Sequence, residues 1–349
     1  IMMKKNEVNP LTESPYCLSV AQQKNLVILT ENNEKMFALK KNMLARTDGF
    51  NFEKIDNTIE MAGRFNKNLQ SRMISTSDLT PKLYDFMAKN KNSIANWFEP
   101  LNQAIIKQSF FKVPKTKIIR LPIELAQFIR IEYMDTREED RKRFNEIIFD
   151  AFNLKDGQTY FIKTGNFSSK FQFANAKCSE PREMGEYFQV INNFAMLVGA
   201  GSTIDLTVRE YIEDVENNPT IYNGLPLRTE FRTFVDFDQK EVIGTVPYWD
   251  PMVMKNALKN QMIIDVNPQI KQDLLTYESH EKKILKEFNE QVKAVNSEME
   301  KLIKNINLKG QYSIDVMKNG KDFYVIDMAL MSESALVELL PTEIQKKYK

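Results

Sequence analysis

The chain has 349 residues, of which 42% are hydrophobic and 27% charged, and its 48 Lys and Arg residues balance 47 Asp and Glu residues. This length predicts two or three domains, and the composition is that of a globular protein. The balanced charge gives no strong overall field that would draw the chain to nucleic acid or to an anionic membrane, although a local basic groove is not excluded.

Few residues are available for thiol or imidazole chemistry. The cysteines, Cys17 and Cys178, fit a reducing compartment and predict no disulfide-linked partner. The single histidine, His280, lies in a charged helical stretch, where we expect a solvated side chain. Hydrolase mechanisms that need a histidine beside a nucleophile are therefore disfavoured. We expect chemistry based on carboxylates, lysines, arginines and a hard metal ion.

The first third of the chain, residues 1–112, predicts a mixed, mainly helical N-terminal domain. Residues 1–7 lack the apolar core of a signal peptide, and no apolar run in the chain approaches the length of a membrane span. A strand entered through Pro114 follows at residues 112–119. Residues 121–152 then predict one long helical region, whose charged run at 135–143 we interpret as a solvated face.

The middle of the chain offers a candidate phosphate-binding segment. A predicted strand at residues 159–163 ends on Lys163 and is followed by the small-residue loop 164–170, Thr-Gly-Asn-Phe-Ser-Ser-Lys. A lysine beside such a loop suits phosphate binding, and the alternative is an ordinary hairpin loop. A helix at 181–199 and a strand at 206–212 come next, and the strand leads into the acidic run 213–216.

Residues 227–249 predict a β-hairpin around a polar turn at 238–240. Alternation along its first strand places Arg228, Glu230 and Arg232 on one face and apolar or Thr side chains on the other. The charged face could hold an anion between two guanidinium groups. Alternatively, it is a solvated strand with cross-strand ion pairs.

A long helix at residues 268–306 precedes a second predicted hairpin at 311–330, which carries Asp315 on one strand and Asp327 on the other. A two-residue turn at Asn319 and Gly320 would put the two aspartates on opposite faces. If they share a metal ion, we therefore predict an odd-length loop or a β-bulge.

In this order, the segments resemble the ATP-grasp superfamily over about residues 113–330. Asn166-Phe167-Ser168-Ser169 and the run Glu230-Phe-Arg-Thr-Phe-Val are most similar to two groups: the cell-division-cycle protein that assists assembly of a translation initiation factor, and its phage and bacterial relatives, some of them proposed RNA ligases. The resemblance implies the α+β class and an ATP-grasp fold. Two α+β subdomains, 113–205 and 206–349, would clasp a nucleotide behind the N-terminal domain 1–112.

The resemblance also implies ATP and Mg²⁺ as cofactors and assigns a role to each candidate residue. Phosphate contacts would come from Lys163, Ser168 and Ser169, adenine contacts from Glu210, Tyr211 and Ile212, and a ribose contact from Glu213 or Glu216. Arg232, with Arg228, would stabilise the transferring phosphoryl group, and Glu230 would orient the arginines. Asp315 and Asp327 would hold the metal ion.

Two positions depart from the family pattern. The usual third metal ligand, an Asn, falls on Ala329, so Ser332 or Glu333 could compensate, or fewer metal ions bind. The first phosphate lysine has no clear counterpart, and Lys107, Lys117 and Arg120 are only candidates.

The expected function is that of an ATP-dependent ligase, which activates a carboxylate as an acyl phosphate for attack by an amine-type nucleophile. The alternatives are an ATP-grasp RNA ligase and a non-catalytic ATP-binding assembly factor, and Ala329 favours the latter. The acceptor, whether a small molecule, a peptide or RNA, is not readable. We expect a cytoplasmic location, or the host cytoplasm for a phage-encoded chain, with no membrane partner.

Overall fold

A computed structural model describes residues 79, 81–121, 123–198, 200–201 and 203–348, so most of the expected N-terminal domain lies outside the described residues. The described chain confirms the α+β class. It forms two compact units. The first contains the described residues up to Asn96, Lys115–Ser169 and Asn175–Tyr211, and the second contains Trp97–Pro114, Lys170–Ala174 and the chain from Ile212 onward.

The described helices are α1 (Pro81–Ala88), α2 (Ile94–Ile105), α3 (Ile123–Arg130), α4 (Glu138–Ala151), α5 (Phe173–Ala176), α6 (Met184–Leu197), α7 (Pro251–Ala257), α8 (Gln261–Val266), α9 (Ile270–Ile303) and α10 (Thr342–Lys347). The described strands are β1 (Phe111–Lys112), β2 (Thr116–Arg120), β3 (Tyr160–Thr164), β4 (Lys177–Cys178), β5 (Asp205–Glu210), β6 (Thr220–Ile221), β7 (Leu225–Pro226), β8 (Glu230–Asp236), β9 (Glu241–Pro247), β10 (Gln311–Asn319) and β11 (Asp322–Leu330). None of these helices is long and apolar enough to cross a membrane.

The first unit contains an antiparallel sheet in the order β2-β5-β3-β4. Because side chains alternate along a strand, Ile162, Leu206 and Val208 share one face, which belongs to a buried core with residues of α3, α4 and α6. The opposite face is polar: Lys163 pairs with Thr207, and both are buried. The sheet therefore separates an apolar core from a buried polar face.

The helical region expected at 121–152 is confirmed, but it consists of two helices with a break between them. A 3-10 turn at Tyr133–Asp135 separates α3 from α4. The amide of Asn193, on α6, donates to the carbonyls of Ile129 and Ile131 (3.2 and 3.1 Å) and accepts from the Tyr133 N–H (2.8 Å). In a continuous helix, these backbone groups would be paired within the helix. The bonds to Asn193 satisfy them instead, and so stabilise the break between α3 and α4.

The charged run in this region is only partly solvated. Asp140 is buried and accepts hydrogen bonds from Arg137 and Arg143 on either side of it. Pairing of this kind is what allows a carboxylate to be buried.

The second unit contains a five-stranded sheet in the order β1-β11-β10-β8-β9, antiparallel except for β1 beside β11. Phe231, on one face, stacks on Phe288 of α9 with ring centroids 5.2 Å apart. On the opposite face, Phe234 and Val246 pack with residues of the chain after β11. The sheet is thus covered by a helix on one side and partly by the C-terminal segment on the other.

Both predicted hairpins are confirmed. In the second, the turn residues are Gly320, with φ +63°, and Lys321, and a register shift lies between Asp315 and Val316. Val316 pairs with Val325 whereas Asp315 pairs with Asp327, so Ile326 is the extra residue of a β-bulge. The bulge confirms the prediction, and it lets Val325 enter the core while both aspartates share the other face.

Candidate functional site

An ion pair between neighbouring strands lies at the centre of the polar face of the second unit. Arg232 of β8 and Asp315 of β10 are register partners. The Arg232 guanidinium donates from Nε and Nη2 to the two Asp315 carboxylate oxygens, each at 2.8 Å. Only 13% of the Arg232 side chain and 4% of the Asp315 side chain are exposed. Such a bidentate, buried pair has a fixed orientation.

Lys170, the last residue of the expected phosphate-binding loop, completes this face together with Tyr248, which was not among the candidates. Lys170 Nζ donates to the Tyr248 hydroxyl at 3.0 Å and lies 4.3 Å from the ring centroid. The Arg232 guanidinium carbon lies 4.9 Å from the same ring centroid. A signal was present: Tyr248 follows Val246, the partner of Arg232, by two residues, so alternation places it on the Arg232 face.

This face is densely charged, because the cations Lys170 and Arg232 lie near the carboxyl groups of Glu230, Asp315 and Asp327. Although burial lowers the pKa of the Lys170 ammonium, the nearby Tyr248, Glu230 and Asp315 raise it, and the net pKa lies above its ordinary value. The pKa of Arg232 is likewise raised, because Asp315 outweighs the effect of burial. Both side chains therefore stay cationic at neutral pH.

Glu230 is buried with one carboxyl oxygen unsatisfied. It is 6% exposed, and its Oε2 atom has no hydrogen-bond partner among the described residues. Burial raises the pKa of its carboxyl group, Lys170 opposes that effect, and the like charge of Asp315 adds to it. A buried oxygen of this kind is costly without a partner, so it marks a place where a ligand or cation would be favourable.

Asp327 lies directly opposite Asp315, and its Oδ1 accepts a hydrogen bond from the Met328 N–H at 2.9 Å. The next pair on the same face is Ser313 with Ala329. The hairpin therefore presents two carboxylates and one hydroxyl on one surface.

Arg228 does not join the Asp315 pair. Its Nη2 donates to the Ile212 carbonyl at 2.5 Å, and its Nε lies 3.3 Å from Asp214. Nη1 contacts the sulfur of Met317 at 3.2 Å. Arg228 therefore fixes the segment that opens the acidic run.

The acidic run is held by the β10–β11 turn. Asn319 donates to the Glu213 carbonyl at 2.9 Å and accepts from the Val215 N–H at 3.1 Å. Glu216 accepts from Lys318 at 2.9 Å. The Glu213 side chain is exposed, whereas Glu216 Oε1 is already paired with Lys318.

His280 is half-buried, so the expectation of a solvated side chain is wrong. Its Nε2 lies 3.1 Å from the Asn218 side-chain oxygen and 3.2 Å from the Leu227 carbonyl. Two acceptors at one nitrogen require that Nε2 carries the proton. Burial, followed by the charge of Lys283, lowers the pKa of His280. His280 therefore anchors the segment from Asn218 to Leu227.

The remaining candidates belong to the first unit. Lys163 is buried on β3, and Ser168 is half-buried in the loop that follows. Ser169 is fully buried, and its hydroxyl has no hydrogen-bond partner among the described residues. The Glu210 Oε1 atom accepts from the Lys115 N–H at 2.8 Å. Lys177 Nζ lies 4.3 Å from the Tyr211 ring centroid.

Within the described part of the chain, no three His, Cys, Asp or Glu side chains form a metal-binding cluster. The pair Asp315 and Asp327 is nevertheless sufficient for the usual Mg²⁺ arrangement, in which one or two carboxylates act together with substrate phosphates.

The site is therefore a charged, partly unsatisfied face on an antiparallel sheet of an α+β protein. Comparison with family profiles and with curated protein sequences gives no match. Among solved structures, the chain is similar to Cdc123 from Schizosaccharomyces pombe, with a TM-score of 0.45 and 14% identity over 78% of this chain and 94% of that chain. A C-terminally truncated form of Cdc123 gives a TM-score of 0.46 with the same identity and coverage.

Proposed function

We propose that this protein is an ATP-grasp ligase that binds ATP with Mg²⁺. The observation that carries the proposal is the bulge in the β10–β11 hairpin. It places Asp315 and Asp327 opposite each other on the face that also bears Arg232. A regular ladder would have separated the two carboxylates, so the irregularity is needed for a shared metal ion.

The residues of the second unit suit the triphosphate end of the nucleotide. Asp315 and Asp327 would hold Mg²⁺, which supplies charge neutralisation between phosphate oxygens. Lys170 and Arg232 supply fixed positive charge, which stabilises a transferring phosphoryl group. Of the five guanidinium N–H groups of Arg232, Asp315 and the Ala335 carbonyl accept three, so two remain for phosphate oxygens.

The nucleotide contacts expected of Lys163, Ser168 and Glu210 are a separate part of the proposal. This part of the proposal rests on the family resemblance, which assigns Lys163 and Ser168 to phosphate and the chain at Glu210–Ile212 to adenine. The unsatisfied hydroxyl of Ser169 supports it, because a buried hydroxyl without a partner is stabilised by a ligand oxygen.

The proposed reaction activates a carboxylate. An acceptor carboxylate oxygen attacks the γ-phosphorus, and the bond to the β–γ bridging oxygen breaks, which gives ADP and an acyl phosphate. An amine then attacks the acyl carbon, phosphate leaves, and the amine proton is lost to solvent or base. Holding the reactants in register supplies much of the rate.

A second candidate is an assembly factor that binds ATP without turnover. Ala329 favours it, because its methyl group offers no ligand atom beside the two aspartates. RNA end-joining is a third candidate function, and the product of ATP turnover distinguishes it from the other two.

The test is incubation with ATP and Mg²⁺, a set of carboxylate and amine acceptors, and RNA with 5′-phosphate ends. ADP formed with an acceptor supports the ligase, AMP supports RNA end-joining, and binding without turnover supports the assembly factor.

Asp327→Asn should weaken Mg-ATP binding at least tenfold. Asp322→Asn is the matched control, because Asp322 lies on the same strand and pairs with Lys112. Equal affinity of both variants and wild type would falsify the metal assignment.

A further inference from the structure

The chain after β11 contacts the site at two points. We define the C-terminal strap as residues 331–340. Its Ser334 hydroxyl lies 2.7 Å from the Ser313 hydroxyl, and its Ala335 carbonyl accepts from Arg232 Nη1 at 3.2 Å. We propose that the strap is a positioning element of the phosphate site, with Ser334 as the residue that sets the Ala335 carbonyl on Arg232. The proposal rests on the proposed function.

The two serine hydroxyls have a defined direction. Ser334 Oγ donates to the Leu330 carbonyl at 2.8 Å, and a hydroxyl has only one proton. The Ser313 hydroxyl must therefore donate to Ser334. Ser334 thus links the strap to the end of β11 and to the strand that carries Asp315. Since Ser334 immediately precedes Ala335, these bonds fix where the Ala335 carbonyl lies.

The backbone of the strap is strained next to this contact. Leu336 has φ +75°, a left-handed conformation that is unfavourable for a bulky side chain, and it is 3% exposed. Its burial with Phe234, Val246 and Leu340 offsets the strain. Strained residues that surrounding packing holds in place are concentrated at functional sites. Here the strained turn delivers a carbonyl to the guanidinium of Arg232.

The strap should contribute most to the position of Arg232 when Asp315 also binds a divalent cation. Both Asp315 oxygens accept hydrogen bonds from Arg232, and the proposed function also gives them a divalent cation. A cation draws on the same lone pairs and weakens the bonds to the guanidinium. The Ala335 carbonyl, to which the proposed function assigns no divalent cation, then remains to hold Arg232 against the phosphates. We expect the strap to affect nucleotides that carry a γ-phosphate and not those that lack it.

The experiment measures the Kd values of Mg-ATP and of AMP by calorimetry for wild type, Ser334→Ala, Ser334→Thr and Glu338→Gln. Loss of one hydrogen-bonded anchor should raise the Kd of Mg-ATP about five- to tenfold in Ser334→Ala. The Kd of AMP should stay within about twofold. Ser334→Thr keeps the hydroxyl and should restore Mg-ATP affinity, and the exposed Glu338 serves as the control on the same strap.

Denaturant unfolding of each variant confirms that the fold is intact before affinities are compared. Equal affinity of wild type and Ser334→Ala for Mg-ATP overturns the proposal, and so does an equal loss for Mg-ATP and AMP. If wild type itself does not bind Mg-ATP, the proposed function fails instead, so the two failures are distinguishable.

Discussion

The pair of Arg232 and Asp315 combines high burial with two short hydrogen bonds, so each charge depends on the other. In Arg232→Met, the Asp315 carboxylate stays buried without its cation. Breaking a buried pair in this way lowers the free energy of unfolding by about 3–5 kcal/mol. The double variant Arg232→Met/Asp315→Leu should recover part of the loss, because no buried charge is left.

Urea denaturation of Arg232→Met, Asp315→Leu and the double variant measures the coupling energy between Arg232 and Asp315. The pair of Arg182 and Asp156 is the matched control: it has the same bidentate geometry, at 2.9 and 3.0 Å, but it is exposed. Its disruption should change stability little. A similar small effect at Arg232 would mean that the Asp315 carboxylate is solvated.

Glu230, in contrast to the stabilising pair of Arg232 and Asp315, lowers the free energy of unfolding when its carboxyl group is ionised. Because burial raises its folded-state pKa above the unfolded value near 4.3, the folded protein binds this proton more tightly than the unfolded chain. The penalty is absent below the unfolded pKa and is fully present above the folded pKa. Glu230→Gln should therefore be more stable than wild type at pH 8, and the difference should vanish near pH 4. Unfolding midpoints across this range test the sign, and a constant difference would contradict it.

At the level of elements, the contact of α4 with α6 depends on a glycine. A Cβ atom at Gly185 would lie 2.8 Å from Asn145 Oδ1 and 3.0 Å from Asn145 Cα, and a backbone atom cannot rotate away. Gly185→Ala should therefore lower the free energy of unfolding by about 1–3 kcal/mol, despite the better helix propensity of alanine. Leu197→Ala, at a position on α6 that is 66% exposed, should stay within about 0.5 kcal/mol. Chemical denaturation of both variants gives the comparison.

Alternation and turn residues predicted most of the strands of this fold, including both hairpins and the face shared by Glu230 and Arg232. They missed the break between α3 and α4, because the amide of Asn193 that stabilises it lies about sixty residues further along the chain. A contact over that distance leaves no periodic signal in the region it interrupts. The bulge at Ile326 could be predicted only by requiring Asp315 and Asp327 to share a metal ion.

At the scale of the whole molecule, the sequence could not show which unit each site residue belongs to. Lys170 ends a loop whose preceding residues belong to the first unit, yet Lys170–Ala174 belongs to the second. Lys170 reaches the site through Tyr248, and this contact links positions 78 residues apart. Long-range side-chain pairing of this kind depends on the packed fold, whereas residue type and spacing identify only candidates.

Ligand binding tests the molecule as a whole. A ligand that binds only the folded state at a hundred times its Kd adds about 2.7 kcal/mol of stability. For a domain of about 150–250 residues, this raises Tm by about 5–10 °C. Mg-ATP should produce that shift in thermal unfolding, whereas ATP with a chelator should produce much less, because the opposed carboxylates of Asp315 and Asp327 then repel the phosphates. Asp327→Asn should reduce the shift in Mg²⁺ while it leaves the Tm without ligand nearly unchanged. An equal shift with and without the chelator would mean that the two aspartates hold no metal ion.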